Sequence, residues 1–157
     1  MKPGRSLKSR ALQLLAQRDQ SRLELRRKLL RRSWREAQGA EVDLPAPQAE
    51  VDAMLDWLAA NGFLSDERFV ESRVHARAPR FGNLRIRNEL AQHGLAAPPE
   101  VLGALAESEL ARAADVRERR FPAHPVGPAE RAAQMRFLAG RGFTPEVIHR
   151  LMRSLRA

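Results

Sequence analysis

The chain has 157 residues, which is enough for one ordinary domain or for several small helical units. Hydrophobic residues make up 43% of the sequence, the formal net charge is +9, and the absence of cysteine excludes disulfides and thiolate metal sites. Because no apolar run reaches the roughly 18 residues of a membrane span, and no signal-peptide pattern follows the basic N-terminus, we expect a cytoplasmic protein.

The composition predicts an all-α fold, and the first three helices are expected within residues 1–61. Leu, Ala, Arg and Glu lose little side-chain freedom in a helix, whereas the β-branched runs that predict strands are missing. Ser21 and Glu24 form a capping-box pattern at the start of the second helix. Two prolines predict a loop over residues 39–48. The helices predicted here from apolar spacing are residues 6–17, 22–32 and 48–60.

Six more helices are predicted in the rest of the chain. Ser65 begins the fourth, which ends before Pro79, and Gly94 closes the fifth. Pro98 opens a sixth helix that continues through Leu105. An Ala-rich, polar stretch then predicts a separate seventh helix. The last three helices are expected over residues 107–120, over residues 129–139 and from Thr144 onward.

These nine helices indicate an internal repeat. Residues 89–101 and 137–147 share the pattern Leu-Ala-x-x-Gly-apolar followed by Pro-Glu-Val, and their glycines, Gly94 and Gly142, lie 48 residues apart. Units that pack mainly on their neighbours form an elongated, curved helical stack. The sequence therefore predicts three tandem three-helix repeats, with boundaries at residues 1–61, 62–106 and 107–157.

Charge alternates along the chain. Residues 1–40 carry a net +9, residues 41–72 a net −7, residues 73–96 a net +4 and residues 97–157 a net +3. Such basic segments suit a polyanion or an acidic protein partner, although arginine that merely solvates helix surfaces is the alternative. The arginines at helical spacing that we identify as candidate partner- or DNA-binding residues are Arg22, Arg26, Arg27, Arg31, Arg73, Arg77, Arg80, Arg85 and Arg87.

Other side chains carry weaker signals. The four histidines lack metal-binding spacing, and neither a phosphate-cradling glycine loop nor a catalytic constellation is present, so we expect neither an enzyme nor a cofactor. Trp57 is predicted to pack between helices rather than to stack on a base. For Trp34, which lies beside an arginine-rich run, packing and a ligand contact both stay open.

Four segments in order carry a family resemblance. Residues 10–18 (RALQLLAQR) with residues 21–29 (SRLELRRKL) look like the opening of the RecX family. Residues 55–69 (LDWLAANGFLSDERF) are similar to its most recognisable segment, and residues 80–90 (RFGNLRIRNEL) resemble its second basic helix. With residues 137–147, the resemblance spans nearly the whole chain.

The resemblance implies a regulatory protein of DNA repair, recombination and the SOS response. Such a protein would bind the RecA recombinase filament on single-stranded DNA, lodge in its groove, and inhibit its strand exchange, ATP hydrolysis and co-protease action. We expect it to act as a monomer. The residues leave two alternatives: a stand-alone DNA-binding protein of helix-turn-helix type and an architectural helical scaffold. The helix-turn-helix alternative is disfavoured because the basic residues are spread over several units instead of being concentrated on one recognition helix.

Overall fold

A computed structural model describes residues 6–36 and 48–156, with the backbone alone over residues 32–36. Every regular element in these ranges is an α-helix, and the predicted all-α fold of tandem three-helix repeats is confirmed. None of these helices is long and apolar enough to cross a membrane. In chain order they are α1 (Leu7–Gln17), α2 (Arg22–Glu36), α3 (Gln48–Ala60), α4 (Asp66–Arg77), α5 (Asn83–Gln92), α6 (Pro99–Arg120), α7 (Gly127–Gly140) and α8 (Pro145–Ser154).

The described ranges contain eight helices, because the predicted sixth and seventh helices are one continuous helix, α6. The expected break near residue 106 was wrong. Residues 104–110 contain only Ala, Leu, Glu and Ser, and the single Gly103 before them is accommodated within the helix, so nothing interrupts it. Leu105, Glu109 and Ala113 are all buried, and their spacing keeps one face of α6 against the core on both sides of that point.

The chain divides into two compact units, Met1–Phe69 and Val70–Ala157, with the division inside α4. The predicted repeat boundaries near residues 62 and 107 stay a prediction, and the second of them falls within α6. Apart from residue 48, which begins α3, the loop predicted over residues 39–48 lies outside the described residues, as does the side chain of Trp34.

The first unit has a leucine-rich core between α1, α2 and α3. Leu25 and Leu29 of α2 lie four residues apart on one face of the helix, and both are fully buried there. The helix starts follow the predicted caps, since the hydroxyl of Ser21 accepts the backbone N–H of Glu24 at 3.1 Å and that of Ser65 accepts the N–H of Arg68 at 3.1 Å. Each such cap stabilises a helix by about 1 kcal/mol. The buried core residues are Ala11, Leu25, Leu29, Val51, Leu55, Leu58 and Leu64.

The core of the second unit lies between α6, α7 and α8. Phe143, in the turn between α7 and α8, is 1% exposed and anchors this core at the point where the two helices meet. The same turn carries Arg141 and Gly142, so the packing of Phe143 also determines where those residues lie. The buried core residues of this unit are Ala113, Val116, Leu138, Phe143, Ile148, Leu151 and Met152.

Candidate functional site: arginine clusters on the two units

Two arginines of α2, Arg22 and Arg26, are neutralised by carboxylates of α3. The Arg22 guanidinium lies 2.6 Å from Asp56, and the Nε of Arg26 lies 2.7 Å from the Oδ1 of Asp52. The hydrogen bond from Arg26 holds the pKa of the Asp52 carboxyl below its ordinary value. The acidic segment of the sequence therefore compensates part of the preceding basic one, and these two arginines tie α2 to α3.

Two other candidates on α2, Arg27 and Arg31, are exposed. Neither forms an ion pair with any carboxylate in the described part of the chain. They lie on the same helix as Arg22 and Arg26 but leave their charge uncompensated. Within the first unit, they are the predicted site residues best placed to meet an external anion.

On the second unit, three guanidinium groups surround the ring of Phe81, an arrangement that we call the Phe81 cluster. Arg85 lies 4.0 Å from the ring centroid, Arg141 5.3 Å and Arg77 5.7 Å. Glu89 lies 3.0 Å from Arg77 and 3.6 Å from Arg85, so one carboxylate is shared by two of the arginines. Cation–π contacts and ion pairs thus hold these side chains in place, and the cluster keeps a net positive charge.

The remaining predicted site residues are Arg73, Arg80 and Arg87. Arg73 is half-buried on α4, whereas Arg80 and Arg87 are exposed on either side of Phe81 in the sequence. Of these three, Arg80 contributes to a pocket on the second unit. The structure therefore brings Arg77, Arg80 and Arg85 close to residues that the sequence analysis had placed in another repeat.

A pocket of about 360 Å³, which we call the arginine pocket, opens on the second unit. Its apolar lining comes from Val116 and Phe137, and the rest of its lining is arginine. Among the described residues, no carboxylate forms an ion pair with any of these arginines. The four arginines that line the pocket are Arg80, Arg119, Arg120 and Arg141.

Two glycines, Gly82 and Gly142, allow the turn before α5 and the turn after α7 to contact each other. The N–H of Gly82 donates to the carbonyl of Arg141 at 2.9 Å, and the N–H of Leu84 donates to the carbonyl of Gly142 at 3.0 Å. A Cβ on Gly82 would overlap the backbone of Phe143. A Cβ on Gly142, whose φ is +86°, would lie 2.8 Å from the backbone nitrogen of Arg85. Only glycine permits the two turns to meet this closely.

A buried carboxylate, that of Glu109, hydrogen-bonds to residues beside both of these turns. Glu109 of α6 is 3% exposed, and its Oε1 accepts the backbone N–H groups of Asn83 and Thr144, each at 3.1 Å. Its Oε2 accepts the Thr144 hydroxyl at 3.0 Å. Asn83 and Thr144 stand at the starts of α5 and α8, so one negative charge lies at the positive ends of two helix dipoles.

Arg112, which like Glu109 lies on α6, stabilises the turn between α4 and α5 by hydrogen bonds. Its guanidinium donates to the carbonyls of Phe81 at 2.8 Å and Ala78 at 3.2 Å, and also to the side-chain oxygen of Asn83. Burial lowers the pKa of Arg112, and the nearby charge of Glu109 offsets part of that effect. The position of Phe81 thus depends on a residue that the sequence analysis did not single out.

Four residues that form or support this surface were not predicted from the sequence: Glu109, Arg112, Arg119 and Arg120. One signal was available: Glu109 lies four residues after Leu105 and four before Ala113, on an otherwise apolar stripe, and a carboxylate there needs buried partners. No comparable signal identified Arg119 and Arg120, because arginines near the end of a helix are common.

Trp57, which was predicted to pack between helices, is partly exposed and has an aromatic neighbour. It is 38% exposed and stacks on Phe63 with ring centroids 5.8 Å apart, and the Lys8 amine lies 3.9 Å from the centroid of its ring.

Within the ranges that the structure describes, no group of three or more His, Asp or Glu residues could hold a metal ion. The arginine clusters, with their convergent and unpaired charges, are the features that suggest a binding site.

The fold and these clusters define a small, basic, all-helical protein built from three-helix units. Comparison with known families supplies the particular class: residues 65–98 match the second three-helix domain of RecX, and residues 107–152 match the third. The Regulatory protein RecX of Ralstonia nicotianae is 46% identical over 153 residues, which cover 94% of this chain and 86% of the relative. The chain belongs to the RecX family of regulatory proteins.

Other relatives agree with this assignment. The Regulatory protein RecX of Leptothrix cholodnii is 44% identical over 154 residues, covering 97% of this chain and 90% of that protein. The protein of the same name from Pseudomonas putida is 41% identical over 152 residues, with 94% and 89% of the two chains covered. The likeness thus extends over nearly the whole chain, including the first unit.

Proposed function

We propose that this protein regulates the RecA recombinase by binding its filament on single-stranded DNA and inhibiting strand exchange, ATP hydrolysis and co-protease activity. The observation that carries the proposal is family membership: regulatory RecX proteins are 41–46% identical over at least 91% of this chain. In this role the protein acts in the cytoplasm as a monomer and modulates DNA repair and recombination.

The charges of the described surface support this role. A filament threaded by DNA offers dense negative charge, and the exposed, unpaired guanidinium groups of Arg27, Arg31 and Arg80 suit such a partner. Arg22 and Arg26 contribute less to this contact in our proposal, because their carboxylate partners already satisfy them. Arg77 and Arg85 contribute through the positive charge that the Phe81 cluster retains.

The test is ATP hydrolysis by the cognate recombinase on single-stranded DNA, titrated with this protein. We expect hydrolysis to fall at amounts of protein below one per recombinase monomer. The titration is repeated with a large excess of single-stranded DNA, because a protein that merely sequesters DNA loses its effect there, whereas a filament regulator keeps it. A flat rate up to equimolar protein, or inhibition that vanishes with excess DNA, would contradict the proposal.

A further inference from the structure

The arginine pocket has the size and charge of a site for a small anionic ligand. Its volume of about 360 Å³ lies at the lower end of the range for small-molecule sites in proteins. The four arginines that line it come from three different places: the turn before α5, the end of α6 and the turn after α7. Side chains from separate elements converge on one volume, which differs from a basic track along a single helix.

The charge of the arginine pocket favours an anionic ligand. Four like charges that line one pocket repel one another, and no carboxylate in the described ranges forms an ion pair with them. Arg119 and Arg120 stand in the last turn of α6, where the negative end of the helix dipole compensates them only in part. A multiply charged anion in the pocket would remove the repulsion of all four groups at once.

Three of the four arginine side chains that line the pocket, those of Arg119, Arg120 and Arg141, are already held in place by contacts within the protein. Arg119 donates to the carbonyl of Pro79 at 2.7 Å, Arg120 lies 4.9 Å from the ring centroid of Phe121, and Arg141 lies 5.3 Å from that of Phe137. Each group therefore loses less freedom on binding a ligand than a mobile surface arginine would. Phosphate oxygens match such planar donors, which can bind two oxygens side by side.

We propose that the arginine pocket binds a compact oligophosphate, such as the phosphate chain of a nucleoside di- or triphosphate or the 5′-triphosphate end of a nucleic acid strand. The phosphate oxygens accept hydrogen bonds from Arg80, Arg119, Arg120 and Arg141, while Val116 and Phe137 form the apolar wall beside them. A single phosphodiester of a strand carries too little charge to satisfy four guanidinium groups. The proposal concerns the protein alone and does not depend on recombinase regulation.

Calorimetric titration of the free protein tests this site, with inorganic pyrophosphate, ATP, and a short single strand that bears either a 5′-triphosphate or a 5′-hydroxyl. The pocket variant combines Arg80→Ala with Arg120→Glu. The control combines Arg136→Ala with Arg153→Glu, which changes the net charge equally at exposed arginines that do not line the pocket. Circular dichroism verifies that both variants are folded.

We expect oligophosphate binding that weakens with salt, is reduced by roughly tenfold or more in the pocket variant, and changes little in the control. Binding of pyrophosphate and ATP identifies a free nucleotide as the source, whereas binding of the 5′-triphosphate strand alone identifies a nucleic acid end. Equal weakening in both variants would mean nonspecific attraction and would overturn the proposal. Equal binding of the 5′-hydroxyl strand, or no binding of any probe by the parent protein, would also overturn it.

Discussion

Glu109 is the residue on which the geometry of the arginine surface depends most. Its carboxylate accepts the N–H groups of Asn83 and Thr144 and thereby joins the starts of two helices that are distant in sequence. The turn before Asn83 carries Arg80 and Phe81, and the turn before Thr144 carries Arg141. A single buried group thus sets the distance between the two sides of the Phe81 cluster and of the arginine pocket.

Removing this carboxylate should destabilise the second unit. In Glu109→Ala, the buried N–H groups of Asn83 and Thr144 lose their acceptor, which costs about 1–3 kcal/mol for each group. We expect the free energy of unfolding, measured by urea titration with circular dichroism, to fall by about 3 kcal/mol or more. Glu107→Ala, an exposed position on the same helix, is the control and should change it by less than about 0.5 kcal/mol. Equal effects of the two substitutions would show that the carboxylate is not structural.

At the scale of elements, the two glycine turns decide how the second unit is assembled. Helix starts were predictable because a cap such as Ser21 or Ser65 acts on the backbone three residues away. The contact between Gly82 and Gly142 was not predictable, since nothing in the local sequence of either turn specifies the other turn. The predicted repeat equates Gly142 with Gly94, and both have positive φ, +86° and +69°. The contact of Gly142 with the turn of Gly82 is a separate, tertiary feature.

The requirement for glycine in this junction can be measured. Gly142→Ala should lower the free energy of unfolding by about 1–3 kcal/mol from backbone strain, because φ is +86°. The overlap of the new methyl group with Arg85 should add to this loss. Gly103→Ala is the matched control: this glycine lies inside α6 with open space around it, and alanine there should stabilise by about 0.5–1 kcal/mol. A Gly142→Ala protein that unfolds at the same urea concentration as the parent would contradict the proposed role of the turn.

At the scale of the whole molecule, the net charge of +9 divides into compensated and uncompensated arginines. Arg22 and Arg26 contribute to the total, yet Asp56 and Asp52 cancel them locally. Arg27 and Arg31 contribute the same formal charge, and in the described ranges no carboxylate pairs with them. Charge counted along the sequence therefore overstates the basic surface of α2.

This distinction predicts which arginines matter for the proposed inhibition of recombinase. Reversing Arg27 and Arg31 to Glu should weaken inhibition of ATP hydrolysis by roughly tenfold or more and reduce its salt dependence, with the unfolding transition unchanged. Reversing Arg22 and Arg26 should instead lower the denaturant concentration at the midpoint, because each new carboxylate faces an aspartate.

The control for this comparison is a reversal of equal charge at Arg136 and Arg153, two exposed arginines of the second unit. It should inhibit like the parent protein. If the variants at Arg27 and Arg31 also inhibit like the parent at low and high salt, these arginines only solvate α2. The contact must then lie elsewhere on the protein, and the Phe81 cluster is the next surface to test.

The sequence by itself determined the helical fold, the repeat of three-helix units, most helix ends and the family. Each of these depends on residues close together in the chain: apolar spacing in α3, a serine cap before α2, or an ordered series of short motifs. Tertiary structure alone decided that Asp52 neutralises Arg26 and that Arg119 faces the same pocket as Arg141. The physical reason is that ion pairs and pockets depend on distance in space, which packing sets after the local pattern has formed the helices.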